Sequence, residues 1–347
     1  MTRCGAMTVK RARLKMKKPP TVHDVARLSG VSTATVSRYF GGKTDAIAPD
    51  TLESVRNAVE ALGYTPSEIG RSLRLSRSRV VVMLTPDATN HFTADVAASV
   101  EKALKKYELS MVLANAAEDP QQQDRLLMDA QGLRARAIIL QGAIDTPQLR
   151  EMATRQNNFI FVNRRPADGV RAPYVGIDNY AAGHAVGRYF RETGFENCVA
   201  ISGPSGTSGT SERLDGFLDA LGRQTPVLHF ETSFTMEGGY EIGKALFSNK
   251  RKQLSVFCGN DMIAYGVHRA AVEQGLKTPD DVVLFGFDDN RLNEWLAPWL
   301  STVKVPAFEY GPAIARLVCE PSASEEIQDV IFPFELKLRE SAKPPSH

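Results

Sequence analysis

Any chemistry in this 347-residue chain has to come from side chains that cut, transfer, ligate or recognise, and most of these classes fail on spacing. The six histidines are scattered, with no HExxH pair, GxSxG nucleophile or paired carboxylates to make a hydrolytic centre. Gly203-x-x-Gly206-x-x-Gly209 has the look of a phosphate loop, but no Gly-Lys-Ser/Thr follows it and it does not follow a first strand. Cys4, Cys198, Cys258 and Cys319 lie far apart without a CxxC pair, which argues against structural zinc and for a reducing compartment. Neither catalysis nor a cofactor is expected. The remaining chemistry is recognition. Its densest signal is a run of hydroxyls closed by an arginine, Ser32-Thr33-Ala34-Thr35-Val36-Ser37-Arg38.

That run sits in a basic head. Residues 1–80 hold 15 Lys/Arg against 6 Asp/Glu, whereas the rest of the chain holds 27 against 34. The asymmetry suits a nucleic-acid-facing head on an acidic body. The first twenty residues carry seven Lys/Arg and no apolar stretch, so they do not form a secretory signal. Residues 1–19 read as a flexible basic arm offering phosphates non-specific attraction. No apolar run approaches a membrane span, and a cytoplasmic location is expected.

The elements that would hold the run follow from local signals. Thr21 with Asp24 resembles a capping arrangement, and Val22, Val25 and Ala26 form one apolar face of a short helix. Ser29-Gly30-Val31 breaks it, and Ser32 caps a second helix, Thr33 to Tyr39, with Val36 turned inward. Two short helices joined by a glycine-containing turn form a helix-turn-helix, whose second helix enters the major groove. A third helix spans Pro49–Leu62, with Leu52, Val55, Val59 and Leu62 as core.

The segment TVHDVARLSGVSTATVSRYFGG resembles the headpiece of the lactose/galactose-repressor (LacI/GalR) family. The resemblance implies that Thr33, Ala34 and Arg38 reach base edges while Ser32, Thr35 and Ser37 hold phosphates. The residue types fit: arginine pairs bidentately with guanine, alanine and the threonine methyl suit a thymine methyl, and hydroxyls fix register on the backbone. Tyr64-Thr65-Pro66-Ser67 and Glu68-Ile69-Gly70-Arg71-Ser72-Leu73-Arg74 resemble the family's hinge. By that resemblance Ile69, Gly70 and Leu73 meet the DNA, Leu73 being the residue placed to wedge into a central minor-groove step. Gly70 departs from the usual alanine, at about 1 kcal/mol of helix propensity.

Beyond residue 78 short apolar runs alternate with amphipathic helices. The runs are Val80–Leu84, Ser110–Ala114, Ala137–Leu140, Phe159–Val162, Tyr174–Ile177, Val199–Ser202, Leu254–Phe257 and Val282–Phe287. This rhythm means parallel sheets covered on both faces. With late returns at Ser301–Val305 and Val330–Leu338 it resembles the periplasmic-binding-protein fold of two doubly wound lobes. In open α/β sheets ligands sit beyond the carboxyl ends of strands. By the resemblance, the effector residues there are Phe92, Asp178, Arg213, Phe234, Asn260 and Asp288. Asp178 with Asn179, and Asn260 with Asp261, equally fit helix caps. Arginine, aspartate, asparagine and one aromatic face suit a small polyol: a sugar, sugar acid or sugar phosphate.

The expected architecture is therefore an all-α helix-turn-helix headpiece and hinge helix followed by a two-lobed α/β core. The arm spans 1–19, the headpiece 20–64, the hinge and linker 65–78, and the core 79–347. The first lobe takes about 79–176 and 304–322, the second about 177–303 and 323–343. The expected function is transcriptional regulation, most simply repression of a carbohydrate-related operon. A homodimer would bind a palindromic operator under control of a small effector, with no membrane partner. The alternative is a solute receptor of transport or chemotaxis, which has no use for a basic helix-turn-helix.

Overall fold

The computed structural model describes residues 20–42, 44–65, 78–222, 225–248, 253–320 and 328–343. The chain divides into two compact units, Met1–Ser76 and Arg77–His347. Ile69, Gly70 and Leu73, the hinge residues singled out from sequence, lie outside the described residues.

The first unit is built from α1 (Val22–Ser29), α2 (Thr33–Phe40), a short 3-10 turn at Thr44–Ala46 and α3 (Pro49–Leu62). Thr21 and Asp24 close a reciprocal capping box on α1: the Thr21 N–H donates to the Asp24 carboxylate at 2.9 Å and the Asp24 N–H to the Thr21 hydroxyl at 3.4 Å. Gly30 ends the helix at φ 68°, a left-handed conformation that glycine adopts without steric cost. Val25, Ala26, Val36, Val55 and Ala58 form the small core, with Tyr39, Phe40 and Tyr64 packed around it. The Ser54 hydroxyl donates to the Ser29 carbonyl at 3.1 Å and ties α3 to the end of α1.

The second unit holds two six-stranded sheets. The first has the order β11-β5-β4-β3-β1-β2 and the second β12-β10-β9-β8-β6-β7. The first lobe runs β1 (Val80–Thr85), α4 (His91–Lys105), β2 (Ser110–Asn115), α5 (Pro120–Gly132), β3 (Ala137–Gln141), α6 (Pro147–Arg155), β4 (Phe159–Val162) and β5 (Tyr174–Ile177). The second follows with α7 (Asn179–Thr193), β6 (Cys198–Ser202), α8 (Ser208–Leu221), β7 (Leu228–Glu231), α9 (Met236–Phe247), β8 (Leu254–Cys258), α10 (Asp261–Glu273), β9 (Val282–Asp288), α11 (Leu292–Leu296) and β10 (Ser301–Lys304). The chain then returns through α12 (Ala307–Cys319), β11 (Val330–Phe332) and β12 (Glu335–Lys337).

The inner strands β3, β4, β5, β6, β8 and β9 are buried along their whole length, as strands covered on both faces must be. Two details differ from the sequence reading. Val330–Leu338 is two strands: β11 runs parallel to β5 in the first sheet, and β12 runs antiparallel to β10 in the second. The final crossing between lobes therefore falls between Phe332 and Glu335 instead of near residue 323. Pro333 stands in the gap and cannot continue a ladder, having no N–H. The second difference is β7, an extra edge strand paired with β6.

In each sheet the strand order reverses once, between β1 and β3 and between β6 and β8. Loops leaving neighbouring strands diverge at these points and open a crevice at the carboxyl ends. Between α7 and α8 the backbones meet at glycines. A Cβ at Gly183 would fall on the Arg213 carbonyl, and one at Gly216 on the Tyr180 carbonyl. That approach brings the first residue of α7 against the middle of α8.

Candidate functional site

Two surfaces hold most of the residues singled out from sequence, one in each unit. In the first, Ser32 is the N-cap of α2: its hydroxyl accepts from the Thr35 N–H at 3.2 Å and lies 3.0 Å from the Thr35 hydroxyl. Val36 is completely buried, so helical geometry turns Ala34 and Arg38, one turn apart, to the opposite face. Both are exposed, while Thr33, Thr35 and Ser37 lie half-buried on the flanks. The helix thus offers one cation and one methyl outward, bordered by hydroxyls. A cap of this kind contributes about 1 kcal/mol. Ser32→Ala is accordingly expected to lower headpiece stability by about that amount, read from thermal unfolding of the headpiece signal.

The second surface is a cavity between the lobes that is open to solvent. The first lobe contributes Asp87, Asn90, Phe92, Glu118, Gln141 and Arg164, and the second Thr210, Arg213, Phe234, Asn260 and Asp288, among others. Arg213 projects from α8. Its Nε donates to the Asn179 side-chain oxygen Oδ1 at 2.7 Å and its Nη1 to the Gly259 backbone carbonyl at 2.9 Å. The guanidinium carbon sits over the Phe287 ring, 3.7 Å from its centre, and Arg213 lines the cavity.

Asp288 ends β9 at φ 111°, a strained value for a residue with a side chain. It is buried, and burial pushes its carboxyl well above the usual carboxylate range, against the opposing pull of Arg213. Phe234 lies across Gly203, where any Cβ would collide with the ring. Phe92 is buried at the start of α4, which Asn90 caps by accepting from the Phe92 N–H at 3.0 Å. Asn260 caps α10, accepting from the Ile263 N–H at 2.9 Å, and still lines the cavity.

Five of the six effector residues read from sequence thus converge on one cavity: Phe92, Arg213, Phe234, Asn260 and Asp288. Asp178 does not. Its carboxylate caps α7 by accepting from the Ala181 N–H at 2.8 Å, and it is solvent-exposed. The next residue, buried Asn179, takes the place beside Arg213.

The sequence reading also missed Glu118, Gln141 and Arg164. Gln141 is the last residue of β3 and Arg164 follows β4 by two, so both obey the strand-end rule. Glu118 and Arg164 pair through two contacts, at 2.8 and 3.3 Å, and Arg164 Nη1 also donates to the Gly142 carbonyl at 2.8 Å. Among the described residues no group of three or more His, Cys, Asp or Glu could hold a metal, and no helix is long and apolar enough to cross a membrane.

Residues 78–340 match the family described as periplasmic binding proteins and the sugar binding domain of the LacI family. Residues 21–67 match the bacterial regulatory proteins of the lacI family. The transcriptional regulator DegA of Bacillus subtilis is 28% identical over 336 residues, covering 93% of this chain and 98% of its own. A LacI-family regulator from Silicibacter pomeroyi, 23% identical, superposes with a TM-score of 0.80 over 93% of this chain and 99% of its own. The cellobiose complex of the regulator CelR, 26% identical, superposes with a TM-score of 0.68 over 93% of this chain and all of its own (100%).

Proposed function

The chain belongs to the LacI family of bacterial transcriptional regulators, and from that premise we propose that it represses a carbohydrate-related operon under control of a sugar or sugar derivative held between its lobes. The reading rests most directly on the convergence of Arg213, Asp288 and Asn260 with the Phe234 and Phe92 rings on one cavity. A hydroxyl can accept from the guanidinium while donating to the carboxylate, and an aromatic ring covers the apolar face of a sugar. The cellobiose complex of CelR supports the same ligand class.

The regulator works as a homodimer on a pseudo-palindromic operator, because one headpiece reads only a half-site. Exposed apolar groups on the second unit support this. β2 is an edge strand that presents Val112 and Leu113, and α11 presents Trp295 and Leu296, which are 78 and 72% exposed.

Effector binding closes the lobes and changes how well two hinges pair on DNA. The test is a calorimetric screen of sugars, sugar acids, sugar phosphates and nucleobases, followed by operator binding with each hit. A sugar-class hit that changes operator affinity is expected. A purine hit with no sugar hit removes the carbohydrate reading. A stable monomer that binds a single half-site specifically removes the dimer.

A further inference from the structure

Arg291 follows the end of β9 in the second lobe, and its side chain crosses to the first. Its Nη2 lies 2.7 Å from the Asp95 carboxylate on α4, and its guanidinium carbon lies 5.4 Å from the Phe308 ring centre on α12. The two partners differ in exposure: the Arg291 side chain is 70% exposed and that of Asp95 only 7%. Among the described residues the cation that meets Asp95 is Arg291. A buried carboxylate that loses its cation keeps its desolvation cost without compensation, so breaking such a pair costs more than breaking an exposed one.

Each end of the pair is fixed within its own lobe. In the second, one oxygen of fully buried Asp261 accepts from the Asn290 N–H at 3.1 Å and the Asn293 amide at 2.8 Å. Its other oxygen accepts from the Thr302 hydroxyl on β10 at 2.6 Å, and Arg339 pairs with Asp289 at 2.8 Å. The turn that carries Arg291 therefore moves with the second sheet. In the first lobe Ser99, one turn beyond Asp95, donates to the Phe308 carbonyl at 2.7 Å and accepts from the Gly311 N–H at 3.2 Å. A Cβ at Gly311 would collide with Ser99, so α4 and α12 meet at close range and carry Asp95 and Phe308 together. Only the Arg291 side chain can adjust, and a lobe movement beyond its reach breaks the ion pair. The same two segments also serve the cavity: Asp288 stands three residues before Arg291, and Phe92 three before Asp95.

We propose that Arg291 and Asp95 form a cross-lobe tether that holds the lobe arrangement of this structure and thereby biases how the chain binds DNA. The tether favours one arrangement over another without itself touching effector or operator. Its first half stands on the geometry alone. Its second half rests also on the reading that lobe arrangement governs operator binding.

The experiment measures the distance between spin labels at Glu101→Cys on α4 and Glu241→Cys on α9, both exposed positions. It uses the full chain with Cys4→Ser and Cys319→Ser, diluted into unlabelled chain so that only distances within one chain are read; Cys198 and Cys258 are buried. The variants are Arg291→Ala, Asp95→Asn and the two together. Arg155→Ala, which breaks an exposed pair with Glu151 inside the first lobe, is the control. Affinity for the best duplex selected from a random pool is measured alongside. The intact pair is expected to give one interlobe distance, and each single variant a second, resolved one. DNA affinity should change about fivefold or more, in one direction for both. The double variant should match the singles instead of adding their effects, and Arg155→Ala should change neither readout.

An unchanged distance in both single variants overturns the tether even if the melting temperature falls, because that fall marks a contact that only stabilises. Effects that add in the double variant also overturn it, since the two residues would then act through different partners. A changed distance with unchanged DNA affinity overturns the second half, and with it the reading that lobe arrangement governs operator binding.

Discussion

Replacing Asp288 with asparagine is expected to lower effector affinity by about 10- to 150-fold, the ~1.5–3 kcal/mol of a hydrogen bond to a charged group. The side chain is buried at the end of β9 on a strained backbone, facing the cavity. Such strain persists only where surrounding structure holds it, here the Val305 N–H donating to the Asp288 carbonyl at 3.2 Å. Asparagine keeps the shape but presents an NH2 donor where a ligand hydroxyl needs an acceptor. Arg213→Ala should act in the same direction with an added cost to stability, because it also strips Asn179 and Gly259 of their donor.

The consequence on DNA separates two modes. With an inducing effector, Asp288→Asn binds operator like the wild type and fails to release it. With a corepressor, the variant binds operator poorly whether or not ligand is added. A pH series gives an independent reading. Burial raises the Asp288 carboxyl, and ligand hydroxyls favour its ionised form, so effector affinity falls as pH is lowered toward that raised pKa. In Asp288→Asn this part of the pH dependence disappears. Calorimetry of both proteins across the acid range checks it, and equal slopes would remove Asp288 from the site.

Much of this was legible because the signals are local. The capping pair Thr21 and Asp24, the left-handed Gly30 and the Ser32 cap lie within a dozen residues, and each is a backbone requirement that one residue type meets. The buried strands are equally plain as apolar runs. β7 was not, because Leu228-His229-Phe230-Glu231 is an edge strand whose side chains are mostly exposed. Val330–Leu338 read as one strand because apolar residues flank Pro333 on both sides, and only the sheets show that each half serves a different lobe.

The site was legible in its second-lobe half, where the family's motifs carry Arg213 and Asp288, and on the first lobe at Phe92. Gln141 and Arg164 have no local signature. A lone polar residue at a strand end becomes significant only when the topology turns that end into a crevice. Asp178 and Asn179 show the finest limit. One of two adjacent polar residues caps α7 and the other meets Arg213, and the close α7–α8 approach at Gly183 and Gly216 decides which.

Arg38→Ala is expected to weaken specific operator binding by ~1–3 kcal/mol per contacted base pair, about 5- to 150-fold, and to relax selection at one position of each half-site. The burial of Val36 sets this orientation: with that side chain inside, Arg38 emerges on the far side of α2, one turn beyond Ala34. An exposed arginine near the end of an eight-residue helix reaches beyond the hydroxyls of Ser32, Thr35 and Ser37, which stay at backbone level. Those hydroxyls fix register and read no sequence, so losing one should weaken all sites alike. The basic arm at residues 1–19 should behave like them: its deletion lowers affinity for every sequence about equally and flattens the dependence on salt. Selection of preferred sites from a random pool, run on the wild type, Arg38→Ala and the arm deletion, separates the roles. If the deletion changed the preferred sequence while Arg38→Ala kept it, base reading would have to move from α2 to the arm.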